Sequence, residues 1–268
     1  MGHRYGLNQA GFPTSDFRET CENLSRAGYD GVEPNYTGSG PLTSTAGRER
    51  LAATATEFDL DVPAVSTTLH WEYPLSSDDP STRRKGLEIA RGMIDAASVL
   101  GADDVLIVPA VVDPGTNYER AHERAVASVR ELVTYAADTD VRVAIENVQN
   151  DFLYSPIEFD RFLETVSDAG TVAAYFDVGN GFRWGLPDRW IRELSEWIAK
   201  VHVKDWLTEA HRPTYPLQGD IDWQSVASAL TDIGYEGWIT AEVPAYPSSP
   251  ERMPKQVLEN VRHVFEPK

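Results

Sequence analysis

Three apolar runs in this chain each end in a carboxylate: Val143-Ala144-Ile145-Glu146, Ala174-Tyr175-Phe176-Asp177 and Ile239-Thr240-Ala241-Glu242. A fourth run, Ala199-Lys200-Val201-His202-Val203-Lys204-Asp205-Trp206, carries a histidine mid-strand with a Lys-Asp pair just beyond it. Any one such carboxylate can cap a helix or pair with an arginine. Three carboxylates and an imidazole, each from a different strand, make a site. Buried together without a cation, the carboxylates repel one another until at least one binds a proton. A divalent metal resolves that conflict, and Glu146, Asp177, His202 and Glu242 are its expected ligands. Three oxygen donors with one nitrogen favour Mn²⁺, with Mg²⁺, Co²⁺ or Zn²⁺ as alternatives. Glu146 and Glu242 can also move protons. A metal on a ketose carbonyl and hydroxyl acidifies the adjacent C–H and stabilises an enediolate. One glutamate can then remove a proton from one face while the other returns it to the opposite face. That chemistry is epimerisation.

The elements that must position these residues alternate regularly. Strand-like runs cover 4–9, 31–34, 62–69, 104–109, 141–147, 172–178, the segment ending at Lys204, and 238–243. Helical patterns cover about 16–27, 47–57, a segment opening at Asp79-Pro80, 118–137, a segment opening at Ser155-Pro156-Ile157-Glu158, 187–199, a segment opening at Asp222, and 250–265. Asp16 and Ser155, each followed three residues later by glutamate, have the spacing of capping boxes, and Pro80 and Pro156 suit the first helical position. Eight strands and eight helices in strict alternation imply a parallel sheet with helical crossovers. In a chain of 268 residues this predicts an α/β fold, one (β/α)₈ TIM barrel over residues 1–268, with its site at the C-terminal ends of the strands. A doubly wound open sheet is the alternative, but the first strand–helix turn lacks GxGxxG.

Composition removes other classes. With 41% hydrophobic and 25% charged residues, the chain has a globular balance. No apolar run approaches the roughly 20 residues that cross a bilayer, and the N-terminus lacks a signal-peptide core, so a cytoplasmic location is expected. Cys21 is alone and forms no internal disulfide. The formal charge is −18, from 42 acidic and 24 basic residues. Such a field repels nucleic acid and anionic membrane. It is tolerated best where salt screens its self-repulsion, which predicts a halophilic protein.

The motifs Ile145-Glu146-Asn147, Phe176-Asp177-Val178-Gly179-Asn180, Val201-His202-Val203-Lys204-Asp205 and Thr240-Ala241-Glu242 resemble the xylose isomerase-like sugar phosphate isomerase/epimerase superfamily. Gly28-Tyr29-Asp30-Gly31-Val32-Glu33 and Gly234-Tyr235-Glu236-Gly237-Trp238 belong to the same pattern. The stretch from His70 to Pro80, with Arg83 and Leu87, is similar to the third-strand region of L-xylulose-5-phosphate 3-epimerases. This resemblance implies a metal-dependent barrel with the four named ligands, the two glutamates as acid/base pair, a sugar or sugar phosphate as partner, and a homo-oligomer. Two departures from the ketose 3-epimerases are Thr208 at the position of a substrate-binding arginine and a single glycine, Gly219, where a pair is usual.

Further contacts follow from placement. His70 at a strand end is expected to meet a substrate hydroxyl, and Asn180 to face the ligand. Lys204 either binds an anionic group or pairs with Asp205. Arg183 and Arg212 are candidate anion contacts, with surface pairing as the alternative. Trp71, Trp184 and Trp206 either wall a sugar pocket or pack the barrel rim. Glu33 is expected to hydrogen-bond within the barrel mouth. The expected reaction is 3-epimerisation of a ketose or ketose phosphate. Aldose–ketose isomerisation, inosose-type dehydration and a sugar-binding barrel without turnover stay open. Phosphodiester hydrolysis of the endonuclease IV type fits least, since only His70, His202 and His211 could serve several zinc ions.

Overall fold

The computed structural model describes residues 2–12, 16–167 and 170–266. Its strands are β1 Arg4–Asn8, β2 Gly31–Glu33, β3 Ala64–Val65, β4 Asp104–Ile107, β5 Arg142–Glu146, β6 Val172–Asp177, β7 Ile198–Val203, β8 Asp205–Leu207, β9 Arg212–Thr214 and β10 Trp238–Ala241. Its helices are α1 Phe17–Ala27, α2 Thr45–Glu57, α3 Pro80–Leu100, α4 Tyr118–Ala136, α5 Pro156–Val166, α6 Val178–Trp184, α7 Pro187–Glu193, α8 Trp223–Asp232 and α9 Met253–Phe265. Eight strands form one parallel sheet in the order β2-β1-β10-β7-β6-β5-β4-β3, while β8 and β9 make a separate antiparallel hairpin. The fold is the predicted (β/α)₈ barrel.

Its seam lies between β2 and β3. There the ladder thins to bridges at Gly31↔Asp61 and Asn35↔Ser66, with Val32 N–H donating to the Asp61 carbonyl at 3.0 Å and Ser66 N–H to the Pro34 carbonyl at 3.1 Å. Pro34 and Pro63 cannot donate to a ladder. The run predicted as a strand over 62–69 therefore keeps regular pairing only at Ala64–Val65, and His70 falls in a 3₁₀ turn, Leu69–Trp71. Gly31 is required here, because a Cβ on it would stand 2.7 Å from the Asp61 carbonyl and 2.6 Å from the Trp238 ring.

Helix starts follow the local signals. Asp16, Asp79, Asn117, Ser155 and Asp222 each accept backbone N–H bonds at their N-caps. The Ser155 cap departs from a full capping box in one detail. The Glu158 carboxylate takes the N–H of Tyr154, one residue before the cap, and the Tyr118 hydroxyl. The helix expected over 187–199 stops at Glu193, because the chain must be extended from Ile198 to pair with β6. Two elements were not expected: α6, a short helix opening directly at the end of β6, and the β8–β9 hairpin.

The side chains of each strand alternate between two layers. Ile145, Phe176, Val201 and Ile239 point outward to the helices in the larger apolar core, while Ala64, Leu106, Ala144, Ala173 and Tyr175 fill the barrel interior. On β5 and β6 this parity carries Glu146 and Asp177 inward in register with Ala144, Ala173 and Tyr175. The barrel floor is polar. Asp104, fully buried, accepts both a paired contact from Arg142 at 2.8 Å and a bond from Lys200 at 2.9 Å.

Candidate metal centre

Glu146, Asp177 and His202 close β5 and β6 or lie near the end of β7, and Glu242 follows β10 directly. These four strands are consecutive neighbours in the sheet. Each of the four side chains offers one ligand atom, and those atoms all lie within 4.8 Å of one another. Asp177 and His202 are fully buried and Glu146 nearly so, whereas the Glu242 side chain is 36% exposed and opens onto a cavity. Register assists the convergence, since Asp177 pairs with His202 across β6–β7 and Thr240 pairs with His202 across β7–β10.

The electrostatics are those of anions short of positive charge. Burial pushes the Glu146 carboxyl up to about 7, helped by repulsion from Glu242 and opposed by His202. Burial likewise raises Asp177, although Lys204 opposes it. Glu242 moves the other way, because Lys204 and His202 outweigh its burial. The donor set, three carboxylates and one imidazole nitrogen, fits a divalent cation. The clustered anions give such a cation a favourable seat.

His202 is held from behind. Its Nε2 lies 3.1 Å from the Glu33 carboxylate and its Nδ1 3.3 Å from Glu146 Oε1. Glu33, fully buried on β2, also accepts from the Tyr175 hydroxyl and from Asn8 Nδ2. A carboxylate accepting at Nε2 leaves Nδ1 as the nitrogen turned toward the ligand cluster. Glu33 thus hydrogen-bonds inside the mouth, as its position suggested.

Lys204 does not pair with Asp205. Its ammonium donates to Asp177 Oδ2 at 2.8 Å and to Glu242. The reason is again the two-residue period: His202 and Lys204 share the inward face, and Asp205 points away. Asp205 instead accepts from the N–H groups of Trp206 and Ile221 and from the Trp223 indole. Gly179, on the first turn of α6, makes room for Lys204, since a Cβ there would lie 2.6 Å from Lys204 Cγ.

A cavity of about 270 Å³ opens beside the cluster, lined among others by Glu146, Glu242, Lys204, Asn180 and Trp206. Asn180 and Lys204 are therefore brought to the site, as are Trp71 and Trp206. His70 is not. It is buried, with Nε2 3.3 Å from the Leu106 carbonyl, and does not line the cavity. Arg183 lies outside the lining as well, bonded to Gln149 at 3.1 Å, paired with Asp151 at 3.7 Å and stacked on Trp184. Asn8, Asn35, Ser66, Thr67 and Gln149 line the cavity and were not singled out in the sequence. Asn8, Asn35 and Ser66 stand at or just past the ends of β1, β2 and β3, and strand-end position was the signal that could have found them.

Comparison with known proteins agrees with this architecture. Residues 21–264 match the family described as xylose isomerase-like TIM barrel. An L-ribulose 3-epimerase of Methylomonas sp. (strain DH-1) is 24% identical over 231 residues, covering 84% of this chain and 77% of its own length. An L-ribulose-5-phosphate 3-epimerase of Salmonella paratyphi A is 26% identical over 210 residues, covering 74% of this chain and 72% of its own. The crystal structure of D-psicose 3-epimerase with D-tagatose, from Clostridium cellulolyticum H10, superposes with a TM-score of 0.84 at 20% identity. It covers 98% of this chain and all of that one.

Proposed function

Because the chain belongs to the xylose isomerase-like TIM-barrel family, we propose that it is a divalent-metal-dependent carbohydrate epimerase inverting C3 of a ketose or ketose phosphate. The names of its relatives support that reading. The observation that carries it is the placement of Glu146 and Glu242. Glu146 ends β5 and Glu242 directly follows β10, the two outer strands of the four-strand arc that holds the ligand cluster, and both line the cavity. They can thus approach one carbon from two sides.

Their positions divide the labour. Glu242, kept ionised by Lys204 and His202, takes the C3 proton. Glu146 lines the same cavity from the other end of the arc, where it can return a proton on the opposite face. The cation, which we propose to be Mn²⁺, supplies the Lewis acidity that stabilises negative charge beside C3. Asn180 and Lys204 orient the sugar at the cavity wall. We propose further that the enzyme works in a salt-rich cytoplasm, as a homo-oligomer.

Incubation with metal and a panel of ketoses in D₂O tests the reaction. Deuterium entering at C3 with a new epimer is expected. Exchange at C1 with an aldose appearing would make the enzyme an isomerase, and loss of water would make it a dehydratase. Glu242→Gln should lower C3 exchange by about 10²–10⁴-fold. Full retention of turnover would remove Glu242 from the acid/base role.

A further inference from the structure

We propose that the sugar this site takes is an uncharged ketose, not a phosphate ester or a sugar acid. The inference rests on the reading of the cavity as a ketose site and narrows its substrate class. Among the described residues lining the cavity, Lys204 is the one basic side chain. Its ammonium is already committed to Asp177 and Glu242. Apart from the cation that Glu146 and Glu242 would help to hold at the reacting carbons, no unpaired positive charge among the described lining residues faces the space a substrate would fill.

The nearest arginines do not repair this. Arg183 stands behind Gln149, paired with Asp151 and stacked on Trp184. Arg212 neighbours Pro213, which lines the cavity, but strand residues alternate faces. On the β8–β9 hairpin Trp206 pairs with Pro213, and both turn to the cavity. Asp205 and Thr214 pair on the other face, with Asp205 bound to the Trp223 indole, so Arg212 lies on that side too. With the cation engaged at the reacting carbons, a phosphate at the far end of the sugar would exchange water for a wall without a cationic partner of its own, at a desolvation cost. It would also climb the field of a chain carrying −18.

What the lining does offer is neutral. Asn8, Asn35, Ser66, Thr67, Gln149 and Asn180 present amides and hydroxyls, which donate and accept in the same way as a polyol. Trp206 and Pro213 add an apolar wall for the C–H face of the sugar. The volume, about 270 Å³, lies at or below the low end of the roughly 300–1,000 Å³ typical of drug-sized ligands and suits a monosaccharide.

The test compares matched pairs on the metal-loaded protein: L-ribulose against L-ribulose 5-phosphate, and D-fructose against D-fructose 6-phosphate. Deuterium exchange at C3 should favour the free ketose by about 100-fold or more in kcat/KM, the scale on which an unpartnered polar group discriminates. Equal or faster exchange on the phosphate would overturn the inference while leaving the epimerase reading intact. If neither member of a pair exchanges, the epimerase reading falls. Calorimetric titration with the same pairs then still decides: tighter binding of the free ketose upholds the inference, and tighter binding of the phosphate, or binding of neither, overturns it.

Discussion

The smallest group with a large consequence is the Glu33 carboxylate. It lies on the opposite side of His202 from the ligand cluster and holds the ring by Nε2. Outer partners of this kind orient a ligand and raise its basicity. Replacing Glu33→Gln should therefore weaken Mn²⁺ binding by about 10–100-fold in isothermal titration. Unchanged affinity in a folded variant would show that the ring is held by packing alone. His70 makes a different prediction. Burial pushes its imidazole down to about 4 from 6.5. A depressed histidine binds fewer protons folded than unfolded between those values, so stability is present above pH 6.5 and lost as pH falls toward 4. The loss at pH 4 is on the order of 3 kcal/mol. Urea unfolding at pH 7 and pH 5 should show a steeper decline for the native protein than for His70→Leu; parallel declines would mean that His70 does not stay neutral.

At the scale of elements, the site depends on how tightly α6 sits against the end of β7. Asp177 ends β6 and caps α6 by accepting the Asn180 N–H at 2.6 Å, so the same carboxylate serves the helix and the ligand cluster. The close approach leaves no room for a methyl group at Gly179, where a Cβ would lie 2.8 Å from the Lys204 carbonyl. Gly179→Ala should cost about 1–3 kcal/mol by overpacking and displace Lys204 from Asp177. Thermal unfolding and metal titration of the same variant would register both effects; a variant with native values would mean that the contact yields freely. The hairpin β8–β9 is the other element that shapes the site, because it presents Trp206 and Pro213 together.

For the molecule as a whole, charge outweighs individual pairs. Exposed bridges such as Arg18–Glu57 and Arg192–Asp232 contribute only about 0–1 kcal/mol each, and salt weakens them. The repulsion behind −18 acts over the entire surface and is also screened, with a Debye length of about 3 Å at 1 M. Since the repulsive part is the larger, the urea midpoint should rise from dilute buffer to about 1 M KCl. A flat or falling midpoint would remove the expectation of salt adaptation. Among the described residues, no helix is long and apolar enough to cross a bilayer.

The sequence by itself determined the alternation of strands and helices, and with it the barrel and the four strand-end residues Glu146, Asp177, His202 and Glu242. Those features are local: period, capping and the residue type where an apolar run stops. Only the tertiary structure decided which neighbours each side chain meets. The pairing of Lys204 with Asp177 and Glu242, not Asp205, depends on strand parity and on β6 and β10 flanking β7. The withdrawal of His70 from the cavity depends on a seam where Pro34 and Pro63 interrupt the ladder and the chain turns early. Glu33 meets His202 across 169 residues of sequence, through the barrel's closure. Contacts between segments so distant leave no spacing in the chain to be read, because closure of the sheet, not local propensity, sets the distance between them.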